Sequence, residues 1–220
     1  SGPITCPYHA WSYDLEGTLR RTPHVGGPGI DTIDSLDHCD YPLITVRSHV
    51  WRDIIFVNVG GDAPDFEIAA ENLVSRWREF DQPVFHGGTD SSIIFTLDCN
   101  WKLAVENYCE AYHLPFIHPA LSTYSRLEDH YNIIDDGGFA GQGTTVYQPQ
   151  ISDDGRHFPR FATLSDKWEK GAEYVALFPN VLLGVHNDHA FAILVIPEGT
   201  GRTVEQVEIY YADEAACDDS

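Results

Sequence analysis

NWKLAVENYCEAYHLPFIHP, residues 100–119, is the stretch on which the reading turns. It opens on Asn100, a residue type that caps the first backbone N–H groups of a helix, and a helix is expected from there to about Leu114. On that helix Trp101, Val105, Tyr108 and Tyr112 share one stripe. Glu106, Glu110 and His113 share the opposite one, because residues three and four apart face the same way. An ordinary amphipathic helix with a wet acidic face would look the same, but the continuation argues for more. His118 follows His113 by five positions, about 140° around an ideal helix, so both imidazoles reach one ion only if the helix distorts or stops between them. Pro115 is expected to supply that break, since it removes a backbone donor and clashes with the turn before it. Two histidines in a post-helical bend suit a borderline metal such as ferrous iron.

A second constellation lies near the start: Cys6-Pro7-Tyr8-His9-Ala10-Trp11-Ser12-Tyr13-Asp14-Leu15-Glu16-Gly17. A C-x-x-H pair in a tight Gly, Pro and aromatic loop can place a thiolate and an imidazole on one metal cluster. Taken alone the pair is common, and more often a free Cys beside a surface His.

Together the two stretches resemble the catalytic (alpha) subunit of Rieske non-haem iron oxygenases, the aromatic-ring-hydroxylating and quaternary-ammonium oxygenase family. C-P-Y-H-x-W-x-Y-x-x-x-G resembles the second half of the Rieske motif, and N-W-K…E-N-x-x-E-x-Y-H-x-x-x-x-H-P resembles the mononuclear-iron motif. They stand in the family's order, about 100 residues apart. The resemblance implies that Cys6 and His9 ligate a [2Fe–2S] cluster, with Trp11 and Tyr13 packed around the loop. It implies that His113 and His118 bind mononuclear Fe(II) and that Asn107 is an amide beside the iron. Glu110 matches the carboxylate that links this iron to the Rieske histidine of a neighbouring subunit. Many members have Asp there; Glu resembles the branch acting on carnitine and glycine betaine. O2, an NAD(P)H-dependent reductase (with or without a ferredoxin) and a homotrimer follow from the same resemblance.

The family's first C-x-H half would fall before Ser1 and its third iron ligand, an Asp or Glu on a C-terminal helix, after Ser220. Asp213, Glu214, Asp218 and Asp219 are not expected to replace that ligand. The chain is therefore expected to be an internal fragment, inactive alone, a view that its lack of any Met also favours.

The remaining pattern gives the fold. Segments 42–48 and 50–59 read as strands, and the break at Gly60-Gly61-Asp62-Ala63-Pro64 divides 1–60 from 61–220. Residues 66–80 read as a helix with Ile68, Leu73, Trp77 and Phe80 near one face. Strands are expected at 91–98, 173–178, 181–196 with a turn near Asn187-Asp188, and 203–212, with 122–165 irregular. The fold class is α+β. The resemblance makes it the C-terminal part of a small all-β Rieske domain, then a catalytic domain with an antiparallel sheet and helices of START-like helix-grip type, truncated at its C-terminus.

A net charge of −21 argues against nucleic acid and weakly favours cationic small molecules. No apolar run is long enough for a membrane span, and five scattered Cys fit a reducing cytoplasm. His186 and His189 are expected to form a turn or line a pocket, and His24 and His38 lie in loops. Aromatics near Phe178 and Phe191 are expected to pack the core or cage a trimethylammonium head. Two other classes compete with an oxygenase: a small-molecule-binding domain with decayed metal sites, and a ferredoxin-type carrier, which would not need His113 and His118.

Overall fold

Alternating β-branched and aromatic residues build the strands of two units, residues 1–64 and 65–220, in a computed structural model that describes residues 2–123, 125–136, 138–147 and 157–217. The first unit holds β1 (Ile4–Thr5), β2 (Ser12–Tyr13) and β3 (Leu19–Arg21) in one small antiparallel sheet, and β4 (Arg47–Trp51) with β5 (Ile54–Asn58) in a hairpin. Arg52 and Asp53 both take positive φ, 51° and 61°, the backbone that a two-residue hairpin turn of matching twist requires. The single strand expected over 50–59 is thus two strands folded at that turn, and 42–46 forms no strand.

In the second unit the helix expected over 66–80 is broken into α1 (Phe66–Ala69), α2 (Glu71–Arg76) and a 3-10 turn, Arg78–Phe80. The break at Ala70 rotates the faces. Leu73, Trp77 and Phe80 are buried, while Ile68 is 68% exposed instead of joining them. There follow β6 (Ser92–Leu97), α3 (Trp101–Tyr108) and α4 (Leu114–Ile117), then β7 (His130–Asp135), β8 (Phe139–Thr144), β9 (Ala172–Leu177), β10 (Val181–Val185), β11 (His189–Pro197) and β12 (Thr203–Tyr211). These strands make one antiparallel sheet in the order β6-β12-β11-β10-β9-β8-β7. The mixture of helices with an antiparallel sheet is the α+β class expected.

β7 and β8 lie inside the segment expected to be irregular. Glycine there marks close approach rather than a loop: a side chain at Gly141 would come within 2.0 Å of the Tyr174 carbonyl on β9. Among the described residues no helix is long and apolar enough to cross a membrane.

Side chains on the sheet alternate between faces. On one face Ala176, Leu182 and Val195 receive Trp101, Val105, Tyr108 and Cys109 of the α3 segment. The stripe expected on that helix holds for its first three members, but Tyr112 lies beyond the helix and is 73% exposed. On the other face Glu173, wholly buried, accepts from Arg76 Nε at 2.7 Å and a second Arg76 nitrogen at 2.9 Å, from Trp77 Nε1 at 2.7 Å and from the Tyr131 hydroxyl at 2.8 Å. Burial pushes the Glu173 pKa up, but hydrogen bonds from Arg76, Trp77 and Tyr131 outweigh it and leave the carboxyl below its ordinary 4.5. A carboxyl lowered in the folded state stabilises the fold above its unfolded pKa, and that stability is lost as acid protonates it. Glu173→Ala should cost about 3 kcal/mol in chemical denaturation, because it strands Arg76 without its partner. The variant should also lose part of the wild type's fall in stability below about pH 4.5, which matching denaturation series would read.

Candidate metal centre

The site is built where α3 ends. Asn100 caps the start, its side chain accepting from Lys102 N at 3.1 Å, and its amide donates to the Thr200 carbonyl at 3.0 Å. The helix stops at Tyr108, well short of Leu114, and Cys109 N closes the last turn on the Val105 and Glu106 carbonyls. The Glu110 carboxylate then folds back to accept from Tyr112 N and His113 N, and from His113 Nδ1 at 2.5 Å. The chain restarts as α4. Pro115 does not break a helix, contrary to expectation. It sits in the first turn of α4, where a missing N–H costs nothing.

His113 and His118 are the N-cap and C-cap of that single turn. The ideal-helix separation therefore does not apply, and the two rings stand 5.3 Å apart, inclined at 77°. The Glu110 carboxylate accepts from His113 Nδ1, so that in the neutral ring Nε2 is the nitrogen left to bind a metal. Burial pushes the Glu110 pKa up, but the bonds from His113 and Tyr112 N prevail and keep it below the ordinary carboxylate value. Two imidazoles with a carboxylate behind one of them are the donor types that a divalent metal of borderline softness takes. Among the described residues no group of three or more His, Cys, Asp and Glu comes together as a metal site. Asp218 and Asp219 lie outside the described residues.

Both histidines line a cavity of about 310 Å³, with Asn107 and Tyr108 from α3 and Tyr174 and Phe191 from the sheet. Phe191 lies across β10 because its cross-strand partner is Gly184, where any Cβ would meet the ring at 2.3 Å. Behind the helix end, Gln142 Nε2 donates to the carbonyls of Glu110 at 2.9 Å and Tyr108 at 3.3 Å. Its Oε1 must then accept from His130 Nδ1 at 2.9 Å, and His130 Nε2 accepts from the Ser125 hydroxyl at 2.8 Å. Burial holds His130 below the ordinary imidazole pKa, in keeping with this neutral form. Nothing in the sequence motif marks Gln142, His130 or Ser125; Gln142 and His130 belong to strands hidden in a Gly- and Asp-rich stretch, and Ser125 to the segment before β7. His186 and His189, at the turn between β10 and β11, also line the cavity.

In the first unit Cys6 and His9 lie in the loop between β1 and β2, closed by Cys6 N donating to the Trp11 carbonyl at 2.8 Å and Ala10 N to the Cys6 carbonyl at 3.0 Å. Ala10 takes a φ of 57°, the left-handed backbone of a tight turn. Cys6 is half-buried with a free thiol, and His9 is exposed with the Tyr8 ring 3.8 Å from its own. Trp11 and Tyr13 are partly buried, and Trp11 meets Tyr41 edge-on at 5.9 Å. Of the loop histidines, His24 Nδ1 accepts from Gly29 N, and His38 bonds Thr22.

Residues 74–220 match the family model for the ring hydroxylating alpha subunit (catalytic domain). Choline monooxygenase of Arabidopsis thaliana, a chloroplastic protein, is 26% identical over 98% of this chain and 50% of its own length. The carnitine monooxygenase oxygenase subunit of Escherichia coli K12 is 23% identical over 98% of this chain and 54% of its own. The fold is that of the quaternary ammonium Rieske monooxygenase CntA, with a TM-score of 0.71 at 18% identity over 97% of this chain and 53% of that one. The chain spans about half the length of the curated relatives it matches. On the strength of the family match across most of its length, the chain belongs to the ring hydroxylating alpha subunits, of whose catalytic domain it carries residues 74–220.

Proposed function

We propose that this chain is part of the catalytic subunit of a Rieske-type non-haem iron oxygenase that hydroxylates or demethylates a small organic substrate. The observation that carries the proposal is the approach of the His113 and His118 rings to 5.3 Å, with Glu110 holding His113 by Nδ1. In this reading His113 and His118 hold a mononuclear Fe(II), and Cys6 and His9 supply half the ligands of a [2Fe–2S] cluster. A cluster and an iron of this kind each need further ligands besides these. Bound iron would supply the O2 activation that places oxygen in a C–H bond or an aromatic ring, and the cluster the single electrons this needs.

The chain's own residues do the positioning. Glu110 fixes the tautomer and angle of His113 and is the carboxylate that joins it to the Rieske-side histidine of a neighbouring subunit in a homotrimer. Asn107 offers an amide beside the iron. Tyr108, Tyr174 and Phe191 line the cavity with aromatic surface. An NAD(P)H-dependent reductase, directly or through a ferredoxin, is the electron partner, and the cytoplasm the compartment. A quaternary amine such as carnitine or glycine betaine is favoured as substrate by Glu110 in place of Asp, by the acidity of the chain and by the named activities of its relatives. Hydroxylation of an aromatic ring is the second reading, and the aromatic wall of the cavity favours it.

In the full-length protein, His113→Ala and His118→Ala should each keep the visible absorption and acid-labile sulfide of the cluster but lose the remaining iron and all turnover. Unchanged iron content in both would end the proposal. Wild-type protein with neither stoichiometric iron nor sulfide would favour a binding domain with decayed sites instead. Glu110→Gln should retain both metal sites yet lower turnover at least about tenfold, the usual scale for a partner behind a metal ligand.

A further inference from the structure

The turn between β10 and β11 carries His186, Asn187, Asp188 and His189, all buried, and sets two imidazoles in the wall of the cavity that His113 and His118 also line. The His186 and His189 rings stack, 4.2 Å between centroids and 15° between planes. Tyr147 stands edge-on to His186 at 4.4 Å and Tyr174 at 5.4 Å. Polar groups buried in such an aromatic wall cost free energy unless they find hydrogen bonds. Here they do so only in part. Neither ring nitrogen of His186 has a partner among the described residues. Burial, seconded by His189 alongside, holds His186 well below the ordinary imidazole pKa, so this ring is neutral and offers one donor and one acceptor.

His189 differs in having its orientation fixed. The Asp188 carboxylate, itself buried, accepts from His189 Nδ1 at 2.7 Å. In the neutral ring that bond places the proton on Nδ1 and leaves Nε2 as the acceptor. The cavity wall thus carries an oriented acceptor backed by a neutral ring with a donor to spare.

We infer that Asp188, His189 and His186 form a specificity-determining site that binds a hydroxyl group of the substrate. The inference rests on the oxygenase reading and adds a demand on its substrate. A hydroxyl donates to His189 Nε2 and accepts from His186 at once. A trimethylammonium head does neither, a carboxylate only accepts, and a bare hydrocarbon ring leaves the site unpaired. Of the amines named above this demand selects carnitine, which has a hydroxyl besides its cationic head, over glycine betaine, which has none; an aromatic substrate would be phenolic.

Calorimetric binding to the full-length protein with its iron and cluster, without O2, tests this with two matched pairs: choline against propyltrimethylammonium, and phenol against toluene. Each pair exchanges a hydroxyl for a methyl group. Wild type should bind the hydroxylated member of at least one pair about tenfold more tightly, the scale of hydrogen bonding in a dry pocket. His189→Phe should reduce that preference to within about twofold, and His189→Gln, whose amide keeps an acceptor, should restore part of it. Equal binding of both members in both pairs, including no binding at all, overturns the inference, as does a preference that survives His189→Phe. Iron-replete, active protein without the preference removes this inference alone; protein that takes up no mononuclear iron removes the oxygenase reading and this inference with it.

Discussion

Three donors converge on the Glu110 carboxylate: the backbone N–H groups of Tyr112 and His113, and Nδ1 of the His113 ring. The first turn of any helix leaves N–H groups without intrahelical partners, and an anionic side chain just before it satisfies them. Glu110 does the same for the link just before α4, taking the N–H groups of Tyr112 and His113 between the stop after Tyr108 and the restart at Leu114. Had α3 run on, His113 and His118 would face directions about 140° apart. Because a single turn intervenes, they cap its two ends and their rings approach to 5.3 Å. The same carboxylate selects the tautomer of His113. One side chain thus sets the backbone path, the ring orientation and the nitrogen left for a metal.

That arrangement needs a rigid floor. The sheet supplies it through the apolar contact of Trp101, Val105 and Tyr108 with Ala176, Leu182 and Val195. The Tyr108 hydroxyl donates to the Leu183 carbonyl at 2.8 Å. Gln142 takes up the carbonyls of Tyr108 and Glu110 that the end of α3 leaves over. Ligands on a helix end that is packed and hydrogen-bonded on its buried side keep their geometry better than ligands on a free loop. The cavity between this helix end and the sheet is lined by His113 with His118 and by His186 with His189, with Asn107, Ser125, His130 and Gln142 as further polar groups among its aromatic rings.

Much of this was legible in the chain. The cap at Asn100 and the stripe of Trp101, Val105 and Tyr108 follow from residue type and spacing, and the meeting of His113 with His118 was implied by the family resemblance, not by their spacing. The reason for the helix break followed from neither, because a proline reads the same whether it ends one helix or begins the next. Only the backbone bonds of Glu110 decide between the two. β7 and β8 were hidden because Gly141 and Gly143 carry the chemistry of turns in sequence, while in the sheet they permit close approach of neighbouring strands. The turn at Arg52-Asp53 carries no glycine or asparagine, so the hairpin of β4 and β5 gave no local signal. Gln142, His130 and Asp188 act through partners distant in the chain or through a buried turn, and spacing alone does not reveal them.

The central claim is that the two imidazoles flanking α4 hold one ion. An anomalous difference map at the iron edge, from crystals of the full-length protein, addresses it directly. The account predicts a single peak beside α4, about 2.1 Å from a ring nitrogen of both His113 and His118. A peak bound to only one of them, or no iron at that helical turn in protein that turns over, would contradict it.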